Sequence, residues 1–450
     1  MADNLDKLKK DLISQFNKDF PDSPLEQMDE SAMADVPGWM TTGNYALNWV
    51  ISKDMNKGLP MGRVILFTGD PGSGKSMIAL SMMREPTIDL IVYMDSEGGG
   101  VTSDFAKFLG IDASKILYTP IDTVEDLIKR MEKVIDTIEK NKSTKNVLMV
   151  IDSISMLSTE REKDPKGGAD MGAKAKLTRQ FFRTYARKMQ KLNIACVMTA
   201  HLTENIGGYG PTKTVAGGTI MGYMPSIEVR FTRVNAETEV EQSAVGASLI
   251  KIRADIIKSR FGTYGKRVKF DLDMEKGLDE FAGLGDILKD YGFMIPAAAD
   301  IDKQIEEKNV PKKSSGWWMF KPWTEDEKGN PEGNPVAAEL FKEVQDKGLA
   351  PSGKFREKQI KDFCSEHEWF RDKVAYLLSS IYKDGVVPES EKSDAEPKTI
   401  EDLGTIEIND GLDGPENGEI LTPDNSVVDN KPKTTRKKTK KDDAVKVTKV

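Results

Sequence analysis

One stretch of the sequence decides its fold class: Gly69-Asp70-Pro71-Gly72-Ser73-Gly74-Lys75-Ser76. It fills the pattern G-x-x-x-x-G-K-[S/T] at every position. An apolar, β-branched run at 64–67 precedes it, and a segment compatible with a helix, 77–83, follows it. This setting is typical of a loop that wraps phosphate groups, because glycines let backbone N–H groups point inward. A glycine-rich turn that binds nothing is the alternative.

The loop predicts a site for ATP and Mg²⁺. A triphosphate is polyanionic, and the helix after the loop presents the positive end of its dipole to it. We expect Lys75 to reach the β and γ phosphates and the Ser76 hydroxyl to bind Mg²⁺. The predicted cofactor-binding residues of the loop are consecutive: Gly69, Asp70, Pro71, Gly72, Ser73, Gly74, Lys75, Ser76 and Met77.

Strand and helix patterns alternate on both sides of this loop, from about residue 36 to 290. The first four predicted strands are nearly continuous apolar runs, as in strands buried on both faces of a parallel sheet. The last strands follow shorter links and predict an antiparallel extension. This is an α/β architecture with a mostly parallel central sheet. The predicted strands are 64–67, 90–94, 146–151, 195–199, 228–231, 249–257 and 267–270, and the long helices are 124–139 and 173–192.

Composition divides the chain into four predicted segments: 1–35, 36–295, 300–385 and 386–450. The first holds a short helix over 3–17, which we interpret as an oligomerisation segment. Such a helix packs either against the core of its own chain or against a neighbouring subunit, and the pattern leaves both open. Its apolar stripe consists of Leu5, Leu8, Leu12 and Phe16.

The two C-terminal segments differ from the core and from each other. Segment 300–385 contains helix-breaking prolines and helical patterns around 335–343 and 357–381, which predict a smaller, mostly helical domain. Segment 386–450 has few large apolar side chains and many charges, which predicts a disordered tail. The tail is acidic at first and basic at its end. The basic end is either a nucleic-acid arm or a solubilising tail.

Bulk composition limits the class of protein. A length of 450 residues suggests two or three domains. The N-terminus is polar and no apolar run approaches the length of a membrane span, so neither a secretory signal nor a membrane partner is expected. Two cysteines far apart, Cys196 and Cys364, favour a reducing cytoplasm. The net charge of -8 means that any nucleic-acid contact needs a local basic surface.

Two acidic residues follow predicted strands on the side of the sheet where the phosphate loop lies. Glu97 comes after strand 90–94, and Asp152 directly follows strand 146–151. Carboxyl ends of parallel strands share one ligand crevice. Glu97 is therefore the candidate that orients or deprotonates the attacking water, with an acidic helix N-cap region as the alternative. Asp152 is the candidate Mg²⁺ ligand, with a helix cap as the alternative.

Two long glycine-containing loops and one helix are the candidates for nucleic-acid contact. The loops, 160–172 and 203–219, follow Asp152 and the strand 195–199. Loops of this length in compact domains are usually functional or disordered. The helix 173–192 carries a basic stripe that is either a solvated face or a DNA-binding face. The stripe consists of Lys176, Arg179, Arg183 and Arg187.

Together these stretches resemble the RecA family, and within it the UvsX-type recombinases of T-even-like phages. The resemblance covers roughly residues 36 to 290 and depends on the order and spacing of the matches. They are GDPGSGKS at 69–76, YMDSEGG at 93–99, VIDSISML at 150–157, MTAHL at 198–202 and VAGGTIMGYMPSIEVR at 215–230.

The resemblance implies a RecA-like P-loop ATPase core and assigns roles within the nucleotide site. It places Lys75 and Ser76 on phosphate and Mg²⁺, and it makes Asp152 the acid that holds Mg²⁺. It makes Glu97 the residue that activates water. It also implies that Phe105 contacts the adenine.

The resemblance adds further roles. Lys258 and Arg260 resemble a basic pair that reaches the ATP of the neighbouring subunit, where RecA has two lysines. His201 stands where bacterial RecA has glutamine, at a position that senses the nucleotide state. The predicted catalytic set is thus Lys75, Glu97, His201, Lys258 and Arg260. The predicted DNA-binding residues are Lys166, Lys174, Lys176, Arg179, Lys213, Gly217 and Gly218.

The resulting functional hypothesis is an ATP-dependent DNA recombinase that forms a helical filament on single-stranded DNA and exchanges strands with duplex DNA. A loading mediator and a single-strand-binding protein are possible partners, and a phage protein of this kind would work in the bacterial host cytoplasm. Two alternatives remain: a hexameric DnaB-type helicase and a non-hydrolysing assembly protein switched by ATP.

Overall fold

A computed structural model describes residues 2–21, 25–28, 36–99, 101–164, 172–204, 213–215, 224–234, 249–263, 265–325 and 333–384. The tail predicted at 386–450 and the predicted DNA-binding residues Lys166, Gly217 and Gly218 lie outside these ranges. The four segment boundaries therefore stay predictions.

The described chain contains strands that form one large sheet and two small ones. In chain order they are β1 (Trp39–Met40), β2 (Leu59–Pro60), β3 (Val64–Gly69), β4 (Leu90–Asp95), β5 (Ile116–Pro120), β6 (Val147–Asp152), β7 (Ile194–Glu204), β8 (Lys213–Val215), β9 (Ile227–Arg233), β10 (Leu249–Ser259), β11 (Arg267–Asp273), β12 (Gly277–Leu278), β13 (Met294–Pro296) and β14 (Trp318–Phe320).

The large sheet confirms the mixed α/β class with a mostly parallel centre. Its order is β12-β11-β10-β9-β3-β7-β6-β4-β5, and β8 pairs with β7. Strands β9, β3, β7, β6, β4 and β5 are parallel to their neighbours in this run. Strands β10, β11 and β12 form the antiparallel extension. The parallel pairing brings Gly69 opposite His201 and Asp95 opposite Asp152 at one edge.

The helices lie between the strands and after them. They are α1 (Ala2–Asp19), α2 (Tyr45–Ser52), α3 (Lys75–Met82), α4 (Ser103–Phe108), α5 (Val124–Lys140), α6 (Glu160–Lys163), α7 (Ala173–Lys191), α8 (Leu284–Asp290), α9 (Ile301–Glu306), α10 (Pro335–Asp346), α11 (Gln359–Glu366) and α12 (Glu368–Asp384).

The central strands bury both of their faces, as their unbroken apolar sequences predict. Along β3, Ile65 and Phe67 enter one apolar cluster, whereas Val64 and Leu66 enter another. Helices α5 and α7 cover the second cluster, and α2 and α3 cover the first. The phosphate loop is therefore anchored at the end of a strand that is packed from both sides.

The C-terminal region shares the first apolar cluster with the sheet. The indole Nε1 of Trp49 in α2 donates to the carbonyl of Leu378 in α12 at 3.0 Å. The helical pattern around 357–381 corresponds to two helices, α11 and α12. They are separated at His367, whose φ of -130° and ψ of 98° are extended. Extended backbone at one residue ends a helix without any proline to mark the break.

The predicted N-terminal helix is present as α1, but within the described ranges nothing covers its apolar stripe. Leu5, Leu8, Leu12 and Phe16 are 54%, 53%, 51% and 41% exposed, respectively. The sequence pattern left open whether the core of the same chain or a neighbouring subunit covers this stripe. The described part of the chain does not supply such a core surface.

Candidate functional site

The phosphate loop joins β3 to α3, and its glycines permit its shape. Gly72 and Gly74 have φ angles of 73° and 85°, which disfavour residues with a Cβ. A Cβ at Gly69 would collide with the carbonyl of Phe231 and the hydroxyl of Ser73. At Gly72 a Cβ would meet no atom within 4 Å, so this part of the loop faces open space. The loop is thus a cradle with bare backbone toward the crevice.

Lys75 begins α3 and turns its ammonium back across the loop. Its Nζ donates to the carbonyls of Gly69 and Asp70, both at 3.0 Å. The side chain is 5% exposed. Burial lowers the pKa of Lys75, and the nearby carboxylates of Asp152 and Glu97 act in the opposite direction. A buried ammonium held at a loop of this shape is a strong attractor for phosphate oxygens.

Asp152, at the end of β6, gathers hydroxyl donors from three neighbouring elements. Its Oδ1 accepts from Ser76 at 3.1 Å and from Thr199 at 2.5 Å. Its Oδ2 accepts from the Tyr93 hydroxyl at 2.9 Å. Burial and the charge of Asp152 raise the pKa of Tyr93, so the phenol stays protonated and donates. These contacts differ from the helix cap that was the alternative for Asp152.

The donor set around the loop fits a polyphosphate with Mg²⁺. The predicted ligands Ser76 and Asp152 are adjacent, and Mg²⁺ usually takes a few protein oxygens besides phosphate and water. The Ser73 hydroxyl is buried without a hydrogen-bond partner, as expected of a group that waits for a ligand oxygen. In the described part of the chain, no cluster of three or more His, Cys, Asp or Glu side chains forms a metal site of another kind.

Glu97 is placed by a turn that Asp95 organises. The backbone N–H groups of Glu97 and Gly98 both donate to Asp95 Oδ1 at 2.9 Å. The Tyr118 hydroxyl donates to the other oxygen of Asp95, also at 2.9 Å. The helix that follows is capped by Thr102 and not by Glu97. Glu97 is thereby left with a side chain directed at the nucleotide crevice.

His201 joins the two predicted catalytic residues of the loop edge. Its Nε2 lies 3.2 Å from Glu97 Oε1, and its Nδ1 lies 3.4 Å from Lys75 Nζ. Its backbone N–H donates to the Ser155 hydroxyl at 2.8 Å. Because β7 continues past His201 and pairs with β8, part of the loop predicted at 203–219 is a hairpin. His201 thus connects the crevice to this hairpin.

Lys258 and Arg260 lie at the opposite end of the sheet. Ser259 pairs with Ile227, next to the first residue of β3, whereas the phosphate loop follows its last residue. The pKa of Lys258 is lowered by burial and by Arg260, with Glu228 opposing. These two cations therefore do not meet the phosphate loop of their own chain. Phe105 is half-buried in α4 against the first apolar cluster.

A family model describes much of the chain. The RecA N-terminal domain model matches residues 7–279. The chain belongs to the RecA family. Its relatives include the proteins named Protein RecA of Clostridioides difficile (24% identical, 71% of this chain and 84% of the relative), Wolinella succinogenes (25%, 62% and 76%) and Helicobacter pylori (24%, 75% and 88%).

The RecA-family match includes the phosphate loop, the Asp152 strand and the Lys258–Arg260 edge. It also includes the hydroxyl groups that contact Asp152 and Asp95, which the sequence patterns did not reveal. Tyr93, Thr199 and Tyr118 sit within or beside apolar strands, where single polar residues are easily taken for core. Only the register of β4, β5, β6 and β7 brings their hydroxyls to the two carboxylates.

The predicted DNA-binding residues of this RecA-family chain fall into different environments. Lys176 and Arg179 are exposed on α7. Lys174 instead donates to the carbonyls of Ser155 and Leu157, at 3.1 and 2.9 Å, and burial lowers its pKa. That engagement within the chain differs from the DNA contact predicted for Lys174. The backbone of Lys213 lies in β8, and the start of the loop predicted at 160–172 forms α6.

Proposed function

We propose that the chain is an ATP-dependent DNA recombinase, which assembles along single-stranded DNA and exchanges strands with a homologous duplex. One observation carries the proposal. Glu97, His201 and Lys75 form a contact chain at the phosphate loop, while the cations Lys258 and Arg260 lie at the far end of the same sheet. A site divided in this way suits an ATPase that is completed by a neighbouring subunit.

Hydrolysis would use the loop edge as follows. ATP with Mg²⁺ supplies a phosphoryl group whose transfer is promoted mainly by positioning and charge. Lys75 would exchange its carbonyl partners for phosphate oxygens, and Ser76 and Asp152 would hold Mg²⁺. Glu97 accepts a proton from the attacking water or orients it. His201 contacts the Glu97 carboxylate and transmits the state of the bound nucleotide to the β7–β8 hairpin.

The neighbouring subunit would contribute Lys258 and Arg260 in trans. Fixed cations at a developing negative charge lower the barrier to phosphoryl transfer. Because each subunit carries its loop at one end of the sheet and its cations at the other, head-to-tail stacking is the arrangement that joins them. Such a heterologous contact produces a filament when its rotation does not close.

DNA would bind along α7 and the loops at its ends. Exposed cations at helical spacing fit a phosphodiester backbone, which carries one charge per nucleotide. The stripe is exposed as the sequence predicts, and it consists of Lys176, Arg179, Arg183 and Arg187. Affinity would then depend steeply on salt and little on base sequence.

The finer assignment is to UvsX-type recombinases of T-even-like phages. It is supported by the sequence stretches at 93–99 and 198–202. It implies work in the bacterial host cytoplasm with a loading mediator and a single-strand-binding protein. No helix among the described residues has the length and apolar character to cross a bilayer.

The deciding experiment measures ATP hydrolysis with and without single-stranded DNA, with electron micrographs of the same samples and a strand-exchange assay. DNA-stimulated hydrolysis, helical filaments and exchanged strands would support the recombinase. Closed six-membered rings with stimulated hydrolysis would indicate the helicase. Filaments that do not hydrolyse ATP would indicate the assembly switch.

A further inference from the structure

A cavity of about 420 Å³ opens beside α7, at the end of β3 remote from the phosphate loop. This volume is within the range of small-molecule sites. Within the described part of the chain, five arginines line it and no Asp or Glu does. We call it the arginine cavity, and its cations are Arg63, Arg179, Arg183, Arg187 and Arg260.

The walls of the cavity are held together closely. Gly62 has a φ of +69°, and a Cβ there would lie 2.7 Å from the Cα of Gln190. Only glycine lets the turn before β3 approach α7 so closely. That approach places Arg63, the next residue, against the arginines of the helix. Phe182 and Met189 supply an apolar floor.

Among the residues that the structure describes, no carboxylate compensates the charges in the cavity. Within the described ranges, no ion pair within 4.0 Å joins any of the five arginines to a carboxylate. Burial lowers the pKa of Arg63, and the nearby charge of Arg260 lowers it further. Since an arginine stays protonated in proteins, burial beside Arg260 destabilises the charged Arg63 unless an anion joins it.

We propose that the arginine cavity binds one phosphate-type oxyanion, supplied either by a nucleic-acid backbone or by a free polyphosphate. Phosphate offers several oxygens to several guanidinium groups at once, whereas a single carboxylate matches one guanidinium fork. The site is separate from the phosphate loop, because β3 runs from Val64 at the cavity to Gly69 at the loop, a rise of roughly 16 Å.

A bound oxyanion would also act on Arg260. It would relieve the repulsion between Arg63 and Arg260 and fix the position of the latter. This consequence rests on the proposed function, in which Arg260 serves the neighbouring subunit, whereas oxyanion binding itself does not. Occupancy of the cavity would then compete with, or prepare, the contact of Arg260 with the neighbour's nucleotide.

The test compares two substitutions one turn apart on α7. Arg187→Gln removes a cavity cation, and Lys191→Gln removes an exposed charge that does not line the cavity. Pyrophosphate is titrated by calorimetry into each protein after the phosphate loop has been saturated with Mg-ADP. We expect Arg187→Gln to weaken pyrophosphate binding about tenfold. Lys191→Gln should change it by less than about twofold.

A second arm identifies the source of the phosphate. Binding of labelled oligo(dT) is measured over a salt series with the same proteins. A backbone source predicts that Arg187→Gln lowers the steepness of log affinity against log salt by about 0.7 more than Lys191→Gln does. A free polyphosphate source predicts that the two variants have equal slopes of log DNA affinity against log salt. Arg187→Gln would then weaken only the binding of pyrophosphate. Equal behaviour of the two variants with both probes would overturn the proposal.

Arg63→Gln, with Arg63→Lys as its charge-keeping partner, tests the opposite wall. Weaker pyrophosphate binding by Arg63→Gln, together with unchanged binding by Arg63→Lys, would support the site. Equal pyrophosphate binding by Arg63→Gln and wild type would count against it. Melting temperatures of all variants check folding, and the exposed Arg187 gives the result if Arg63→Gln is unstable. The pyrophosphate arm contains no DNA, so failure of the recombinase function would leave its result unchanged.

Discussion

His201 Nε2 lies 3.2 Å from Glu97 Oε1, while the other nitrogen of the same ring lies 3.4 Å from Lys75 Nζ. One imidazole therefore touches both the carboxylate that is placed to act on water and the ammonium that is placed to bind phosphate. An amide side chain can also make two such contacts.

Replacing His201 should separate the nucleotide state from the response to DNA. His201→Ala is expected to lose most of the DNA-stimulated part of ATP hydrolysis. Glu97 would lose its contact with the imidazole, and the β7–β8 hairpin would lose its connection to the phosphate loop. His201→Gln should keep the stimulation, because the amide restores both contacts. Steady-state hydrolysis with and without DNA measures this. Equal stimulation in His201→Ala and wild type would exclude a coupling role.

Glu97→Gln should slow turnover by about 10²-fold or more while ATP and DNA still bind. The amide keeps the size of the side chain but cannot accept a proton from water. Single-turnover hydrolysis and fluorescent-nucleotide binding measure the two properties separately. Turnover at the wild-type rate in Glu97→Gln would remove this residue from the water-activating role.

Mixed assemblies should reveal the division of the site between subunits. Lys75→Ala is expected to abolish hydrolysis, since the phosphate loop loses its cation, and Arg260→Ala is expected to lower it strongly. Mixing the two inactive variants should restore part of the activity, because an intact loop in one subunit then meets an intact Arg260 in its neighbour. Hydrolysis at varied mixing ratios measures this effect. Activity no higher than the sum of the separate proteins would contradict the trans arrangement.

Lys174 and Lys176, two residues apart on α7, should behave differently when each is changed to Met. Lys174→Met is expected to lower the free energy of unfolding by about 1–2 kcal/mol, because two carbonyls lose a charged donor. Lys176→Met should change stability by less than about 0.5 kcal/mol and weaken DNA binding. Urea unfolding and oligonucleotide titrations measure both. Equal destabilisation by the two changes would show that Lys174 is not a structural tie.

Glu228 should give stability a specific pH dependence. Burial raises the pKa of Glu228 from its ordinary 4.5, although Arg230 and Thr68 oppose the shift. Between 4.5 and the raised pKa, the folded chain keeps a proton that the unfolded chain has released. The free energy of unfolding therefore falls as pH rises through that window.

Glu228→Gln cannot titrate, so its stability should depend less on pH in that window, by at most about 1.4 kcal/mol per pH unit. Urea unfolding in steps from pH 4.5 upward compares the variant with wild type. The other carboxylates titrate alike in both proteins and cancel in the difference. Identical slopes would show that the Glu228 pKa is not raised by folding.

The sequence predicted the strands that are unbroken apolar runs, because their periodicity reports burial on both faces. It missed β5, an edge strand in which Leu117 is 57% exposed and whose residues carry no such run. It also missed the helix break at His367, where no proline or glycine interrupts the sequence pattern.

The candidate site was likewise predictable from the sequence only in part. The phosphate loop, Glu97 and Asp152 were accessible to sequence reasoning because their chemistry depends on neighbours along the chain. The tie from Lys174 to Ser155 and Leu157 depends on how a helix meets a turn. No spacing rule encodes that contact. Asp95 was visible in the sequence beside Glu97, but its work as an organiser of the turn is a property of tertiary structure.

The uncovered stripe of α1 has a consequence for every measurement on this protein. Apolar area left in water costs about 25 cal/mol per Å², and only a second surface can remove that cost. We expect a neighbouring subunit to supply that surface, so that the fraction of molecules with the stripe covered follows mass action. Melting temperature and specific activity should both rise with protein concentration, so variants are comparable only at matched dilution.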